Sequence, residues 1–231
     1  MNKYSSFGLI MVIVVFGVLF IPKIINRIAN RTQVEDNRSA PAKPLAYIKI
    51  NGEAKKVPEF FMLNQDSLFI GNEDFKGKVH LAEFFFTKCP SICPIMNKNM
   101  KIIDDRFGDR QDFGIASFTI DPANDTPYVL KKYAESYNVK SQNWHFLTSD
   151  VKTVYELANK GFSIFAGINP AVAGGFEHQG YFALIDKNGY IRSRVDRFDN
   201  PIVYYSGLDK EGEEIQDVDL LIEDIALLLK E

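Results

Sequence analysis

The chain has 231 residues, a formal net charge of -3 and 46% hydrophobic residues. That length suits one globular domain with appendages, and nineteen Phe with ten Tyr can fill a sizeable core. The slightly acidic balance, with no Lys/Arg run interleaved with aromatics, excludes a nucleic-acid partner.

In chain order, the first segment differs in kind from the rest. Phe7 to Pro22 carries no charge, and Ile24 and Ile25 follow the single Lys23. The run is a little short of the ~20 apolar residues that a bilayer core requires. Lys23 snorkelling to the interface would let Ile24 and Ile25 count toward the span. A cleaved signal peptide usually has an apolar stretch of only ~7–15 residues and an A-x-A-like site, and no such site follows here. The expectation is therefore an uncleaved N-terminal transmembrane anchor over 1–30. On charge alone, Lys23, Arg27 and Arg31 against the single Lys3 favour a cytoplasmic C-terminal domain. The polar, charged stretch from Arg31 to Lys43 places a flexible linker over 31–45, leaving 46–231 as the folded domain.

From Ala46 the signals alternate between strand and helix. Ala46 to Ile50 and Glu53 to Val57 flank Asn51-Gly52, a strong hairpin signal. Phe60 to Leu63 and Leu68 to Ile70 suggest a second short pair. Val79 to Thr87 is a nearly continuous apolar run of strand length, as a central buried strand requires. It leads into Cys89-Pro90-Ser91-Ile92-Cys93-Pro94, after which Ile95, Met96, Met100, Ile103 and Phe107 recur at helical spacing. Gly114 to Ile120 is a further apolar strand. Asp125-Thr126-Pro127 opens the next helix with capping side chains and an early Pro. Trp144 to Leu147 reads as a strand, Val151 to Lys160 as a helix, and Tyr181 to Asp186 with Tyr190 to Val195 as a hairpin. Val218, Leu221, Ile222, Ile225 and Leu229 mark an amphipathic C-terminal helix. This order predicts an α/β domain with a mixed central sheet and an N-terminal β-hairpin.

Cys89 and Cys93 are the chain's two cysteines, and they stand at a strand-to-helix junction. Residues at i and i+4 share a helix face about 6 Å apart along the axis. Their sulfurs could close a disulfide or hold one ion. The unpaired N–H groups and positive end of the first helical turn favour thiolate over thiol, and thiolates are soft donors for Cu(I) and Zn(II). A purely structural disulfide is the plainer alternative, but so short a loop removes little unfolded-state entropy. Two sulfurs do not complete a copper or zinc site, so a third donor is sought among three histidines. His80 and His145 lie in strands and suit packed or surface roles. His178 sits in a loop just before the strand Tyr181 to Asp186, a place from which a ligand can project toward a neighbouring strand's end.

Phe84-Phe85-Phe86-Thr87-Lys88-Cys89-Pro90-Ser91-Ile92-Cys93-Pro94 closely resembles the F-F-T-x-C-P-x-x-C-P signature of the SCO/SenC family of copper-handling thioredoxin-like proteins. Thr119-Ile120-Asp121-Pro122-Ala123-Asn124-Asp125-Thr126-Pro127 is similar to that family's V-D-P-x-x-D-T-P segment, and His178 to Gly189 resembles the segment that carries its metal-binding histidine. Three spaced motifs make the likeness far more specific than one C-x-x-x-C. The resemblance, over roughly Val57 to Asp196, implies a thioredoxin-like fold. It implies copper, as Cu(I) or Cu(II), on Cys89, Cys93 and His178, and a role as a membrane-anchored metallochaperone for the binuclear copper centre of cytochrome c oxidase. The implied partners are the membrane and the oxidase's copper-accepting subunit or another copper chaperone. The implied location is the cell membrane, single-pass, with the domain on the extracytoplasmic (periplasmic) side, against the flanking charges. Some members of the family act instead as thiol–disulfide reductants, for which Cys89 and Cys93 would be the catalytic pair.

Rival chemistries fit less well. Thioredoxin-type enzymes use C-x-x-C and a Pro before the facing strand, and peroxiredoxins use P-x-x-x-T-x-x-C; neither pattern stands here. Two features depart from the family. Gln179 follows the histidine where Ser or Thr is usual, and Arg197 to Asp217 is a polar loop with Tyr204 and Tyr205 in place of a short ending. Asp121 and Asp125 read either as a turn former and a helix N-cap or as contacts to partner or metal.

Overall fold

The computed structural model describes residues 11, 16–18, 20–22, 44–196 and 198–231. The chain divides into two compact units, Met1–Ser39 and Ala40–Glu231. The expected membrane anchor has to be corrected: among the described residues no helix is long and apolar enough to cross a membrane. Most of 1–30, and 31–43 of the linker, lie outside the described residues. The physical shortfall is already present in the charge-free run, which ends at Pro22 and needed a snorkelling lysine to reach bilayer length. The single-pass, membrane-anchored location implied by the resemblance is corrected with it.

The folded unit is an α/β, thioredoxin-like domain with a mixed sheet. Its strands are β1 (Ala46–Tyr47), β2 (Lys49–Ile50), β3 (Glu53–Ala54), β4 (Phe61–Leu63), β5 (Phe69–Gly71), β6 (Val79–Phe85), β7 (Phe113–Thr119), β8 (Trp144–Leu147), β9 (Ala166–Ile168), β10 (Phe176–His178), β11 (Tyr181–Ile185), β12 (Ile191–Ser193) and β13 (Tyr205–Ser206). Its α-helices are α1 (Cys93–Phe107), α2 (Pro127–Ser136), α3 (Val151–Glu156) and α4 (Asp217–Leu228). The main sheet runs β1-β12-β11-β6-β7-β8, with β13 added to β11. β6, β7 and β8 are parallel, whereas β11 is antiparallel to β6.

The centre of this sheet explains its sequence. β6 and β7 are buried along their whole length, so both faces demand apolar side chains and alternation disappears. Phe84, Phe118 and Phe162 pack together there, and Phe85 meets Tyr133 and Phe146. The expected hairpin at Asn51-Gly52 joins β2 to β3, both turn residues having positive φ (53° and 86°), as a tight hairpin turn needs.

Three local expectations differ from what forms. The helix expected over Val151 to Lys160 keeps α-helical bonding only to Glu156 and then widens into a π-turn over Leu157–Phe162, ended by Ser163 in the left-handed region. Neither Asp125 nor Thr126 caps α2 with a side chain. His178 is not in a loop; it closes β10, which pairs with β9 in a separate two-stranded sheet.

The polar stretch after Asp196 is folded onto the domain. β13 pairs with the first residues of β11, and Asn99 of α1 donates to Gly207 O (3.0 Å) and Asp209 Oδ1 (2.8 Å). Gly207 sits where any side chain would clash: a Cβ there would lie 2.8 Å from Phe182 Cζ and 3.0 Å from Met96 Cγ. Both neighbours are fully buried, so Gly207→Ala is expected to cost about 1–3 kcal/mol by overpacking. Chemical denaturation checks this, as a lowered midpoint with an unchanged slope.

Candidate metal centre

Cys93 begins α1 and Cys89 lies in the turn before it. No side chain of the cap residue, Ile92, satisfies the helix's first donors. Cys89 Sγ takes part of that role, accepting the Cys93 N–H at 3.4 Å. The α1 start therefore orients one sulfur through its backbone and carries the other on its first residue.

The third group arrives from the β9–β10 hairpin. His178 Nε2 stands 3.2 Å from Cys93 Sγ, and Nδ1 donates to the Gln179 carbonyl at 3.3 Å. Phe86 meets the imidazole edge-on at 6.0 Å between ring centres. Gly174 lets the hairpin's turn close on this loop, since its φ is +91° and a Cβ would lie 3.0 Å from the Phe86 ring and 3.1 Å from Pro90 Cδ. One donor atom each from Cys89, Cys93 and His178 lies within 4.8 Å of the other two. The two thiols are free, and all three residues are buried.

The two sulfurs are not equivalent. Cys93 pushes the Cys89 thiol far down by hydrogen bonding to it, and His178 and the backbone N–H groups around it add to the effect. Cys93 is driven the other way by the same Cys89 contact, by burial and by the Cys89 charge. The Cys89 thiol is thus the more acidic of the two. Cys93 Sγ also faces His178 Nε2, the ring nitrogen that the Nδ1–H contact leaves with its lone pair.

Two sulfurs and one imidazole nitrogen form a soft set with a borderline member, which copper suits in either oxidation state. The arrangement fits the metal because the donors converge without any large rearrangement. Copper is the cofactor this cluster matches.

Asp121 and Asp125 do not join the cluster. Asp125 is fully buried and accepts from the Thr87 N–H (3.0 Å), the Thr87 hydroxyl and the Thr119 hydroxyl. Asp121 accepts the Asn124 amide. Asp125 thus pins the chain two residues before Cys89, supporting the site from behind. His80 and His145 stand apart: His80 bonds the Lys78 carbonyl and stacks near Phe75, and His145 pairs with Asn64.

The sequence profile of the SCO1/SenC family matches residues 49–212. The chain belongs to the SCO1/SenC family. The matched range ends at residue 212 and so takes in most of the stretch after Asp196. A SCO1 protein homolog of Bacillus subtilis is 34% identical over 147 residues, 63% of this chain and 76% of the relative. The solved structure of BsSco, described as a member of the Sco family of cytochrome c oxidase assembly proteins with a disulfide switch, has a TM-score of 0.61 at 30% identity, covering 76% of this chain and 94% of that one. ScoI of Bradyrhizobium japonicum, solved with copper bound, shares the fold at a TM-score of 0.57 and 18% identity over 75% of this chain and 99% of that one. A SCO-family fold carrying a Cys/Cys/His cluster supports a general role as a copper chaperone.

Sequence reasoning missed the ground beneath the sulfurs. Glu83 of β6 is fully buried; its Oε1 accepts the Ser117 hydroxyl at 2.7 Å, and Ser117 in turn accepts the Trp144 indole N–H. Asn97 donates to Cys93 O and to the Tyr133 hydroxyl. Among the described residues Glu83 Oε2 and Asn97 Oδ1 find no donor. A lone acid inside the apolar run Val79 to Thr87 was the available signal.

Proposed function

We propose that the domain carries copper on Cys89, Cys93 and His178 and passes it to the copper-accepting subunit that builds the binuclear centre of cytochrome c oxidase. The convergence of the three donor atoms within 4.8 Å carries this assignment. The description of BsSco as an oxidase assembly protein and the copper in ScoI support it from relatives. Cys89, the less buried of the two sulfurs at 8% exposure against 0% for Cys93, offers the partner its first point of ligand exchange. Cys93 and His178 then release the ion as the partner's own sulfurs take it.

The test is anaerobic mixing of the Cu(I)-loaded protein with the reduced soluble domain of an oxidase copper-accepting subunit. Copper should move to the acceptor, and the partner's sulfurs should not change oxidation state. Copper that stays on the donor at excess acceptor speaks against delivery.

One observation favours a second chemistry. Cys89 and Cys93 are both free thiols at one helix start, and the downward shift of Cys89 with the upward shift of Cys93 is the direction thiol–disulfide exchange needs, with Cys89 attacking and Cys93 resolving. Rapid reduction of the acceptor's disulfide by metal-free protein would identify a reductase instead.

A further inference from the structure

We infer that Gln179 is a positioning residue for the third ligand, fixing the imidazole of His178 so that its Nε2 faces the sulfurs; the inference rests on copper binding by Cys89, Cys93 and His178. The residue after the histidine makes a two-point clamp across to the β9 side of the hairpin. Its N–H donates to the Phe165 carbonyl at 3.1 Å, and its side-chain Oε1 accepts the Phe165 N–H at 2.9 Å. The clamp sets the plane of the Gln179 peptide carbonyl, which accepts from the Tyr181 N–H at 3.0 Å and from His178 Nδ1 at 3.3 Å.

A carbonyl has no proton to give, so this contact holds the His178 tautomer with hydrogen on Nδ1 and the lone pair on Nε2. Nε2 is the atom that stands 3.2 Å from Cys93 Sγ. The neighbouring residue is pinned from the opposite side: the Gly207 N–H donates to Gly180 O at 2.8 Å, and Leu208 packs where a Gly180 side chain would be. Gly180 is therefore fixed by Gly207 and Leu208, just after β13, and Gln179 by Phe165, which together hold the carbonyl that the His178 ring meets. An exposed serine or threonine at 179 lacks the reach for the Phe165 N–H, so the length and the acceptor of glutamine are what this clamp uses. The relevant atom is the oxygen alone, which makes glutamate a fair substitute and alanine a loss.

The experiment is a Cu(I) competition titration of wild type, Gln179→Ala, Gln179→Glu, His178→Ala and the His178→Ala/Gln179→Ala double variant, with Cu(II) absorption and electron paramagnetic resonance spectra of each. Loss of an outer partner of a ligand typically costs ~10–100-fold in metal affinity. Gln179→Ala should fall about tenfold or more on that scale, with its Cu(II) spectrum moved toward that of His178→Ala, and Gln179→Glu should stay near wild type. In the His178→Ala background the same alanine should have no further effect. Wild-type affinity and spectrum in Gln179→Ala, or an equal loss in both backgrounds, would overturn the assignment. If wild type and His178→Ala bind copper alike, the third ligand itself is lost, and the clamp's role falls with it.

Discussion

Cys93→Ser is expected to weaken Cu(I) binding by more than the ~10–100-fold that an outer-sphere change costs. The reason is both chemical and geometric. A hydroxyl is a hard, neutral donor that Cu(I) does not prize, whereas the sulfur it replaces is soft and becomes anionic on binding. Cys93 also sits at the centre of the cluster: its sulfur touches His178 Nε2, its N–H reaches Cys89 Sγ, and it is completely buried. Removing it leaves two donors that no longer share a neighbour. Cys89→Ser should do comparable harm, because it likewise replaces a soft sulfur donor with a hard hydroxyl. His178→Ala should be milder, since two thiolates still hold Cu(I) in a linear pair; its larger effect should fall on Cu(II), which needs the nitrogen. Competition titration against a Cu(I) chelator measures all three. A Cys93→Ser protein with undiminished affinity would place the metal elsewhere.

The second large effect concerns stability rather than metal. Burial raises the Glu83 carboxyl from 4.5 to about 7, opposed only by the Ser117 hydrogen bond. A group with a raised folded-state value contributes stability fully below its unfolded value and loses it as pH rises through the folded one. Glu83 therefore costs the fold progressively between pH 4.5 and about 7, by about 3 kcal/mol across the window. His80 runs in the opposite sense: burial lowers it from 6.5 to about 4, so its contribution is present above 6.5 and lost as pH falls through 4. The two slopes oppose each other in wild type, and only a difference between variants isolates Glu83. Glu83→Gln, which keeps the shape and an oxygen for Ser117, should match wild type near pH 4.5 and exceed it by about 3 kcal/mol once pH passes 7. Urea unfolding across that range reads it directly. A constant difference between the two proteins would show that the carboxylate is not paying for its burial.

Much of this molecule is legible in its residues. The buried strands β6 and β7 show themselves as nearly continuous apolar runs, and Asn51-Gly52 and Lys187-Asn188-Gly189 mark the turns of the β2–β3 and β11–β12 hairpins, where Asn51, Gly52 and Gly189 take a positive φ that is costly for other residues. Cys89 and Cys93 are legible because their spacing at a helix start has few structural uses. The place of His178 before a strand made it a candidate third donor, and the family likeness then singled it out. The hairpin that delivers it was missed: β9 and β10 are three residues each, separated by a turn rich in Ala and Gly, too short for periodicity to register. Asp125 misled for a different reason. Its position before Thr126-Pro127 is that of a helix cap, yet Thr87, in the turn after β6, and Thr119, at the end of β7, compete for its oxygens and win. Long-range partners of this kind leave no trace in local sequence. The apolar N-terminal run falls a little short of bilayer length by its own sequence, and among the described residues no helix is long and apolar enough to cross a membrane.

X-ray absorption spectroscopy of the Cu(I)-loaded protein is the most direct measurement of the metal's surroundings. Two sulfur neighbours and one nitrogen are predicted in wild type, with the nitrogen lost in His178→Ala and one sulfur lost in Cys89→Ser. A coordination shell that stays the same in all three proteins would contradict copper binding at this cluster.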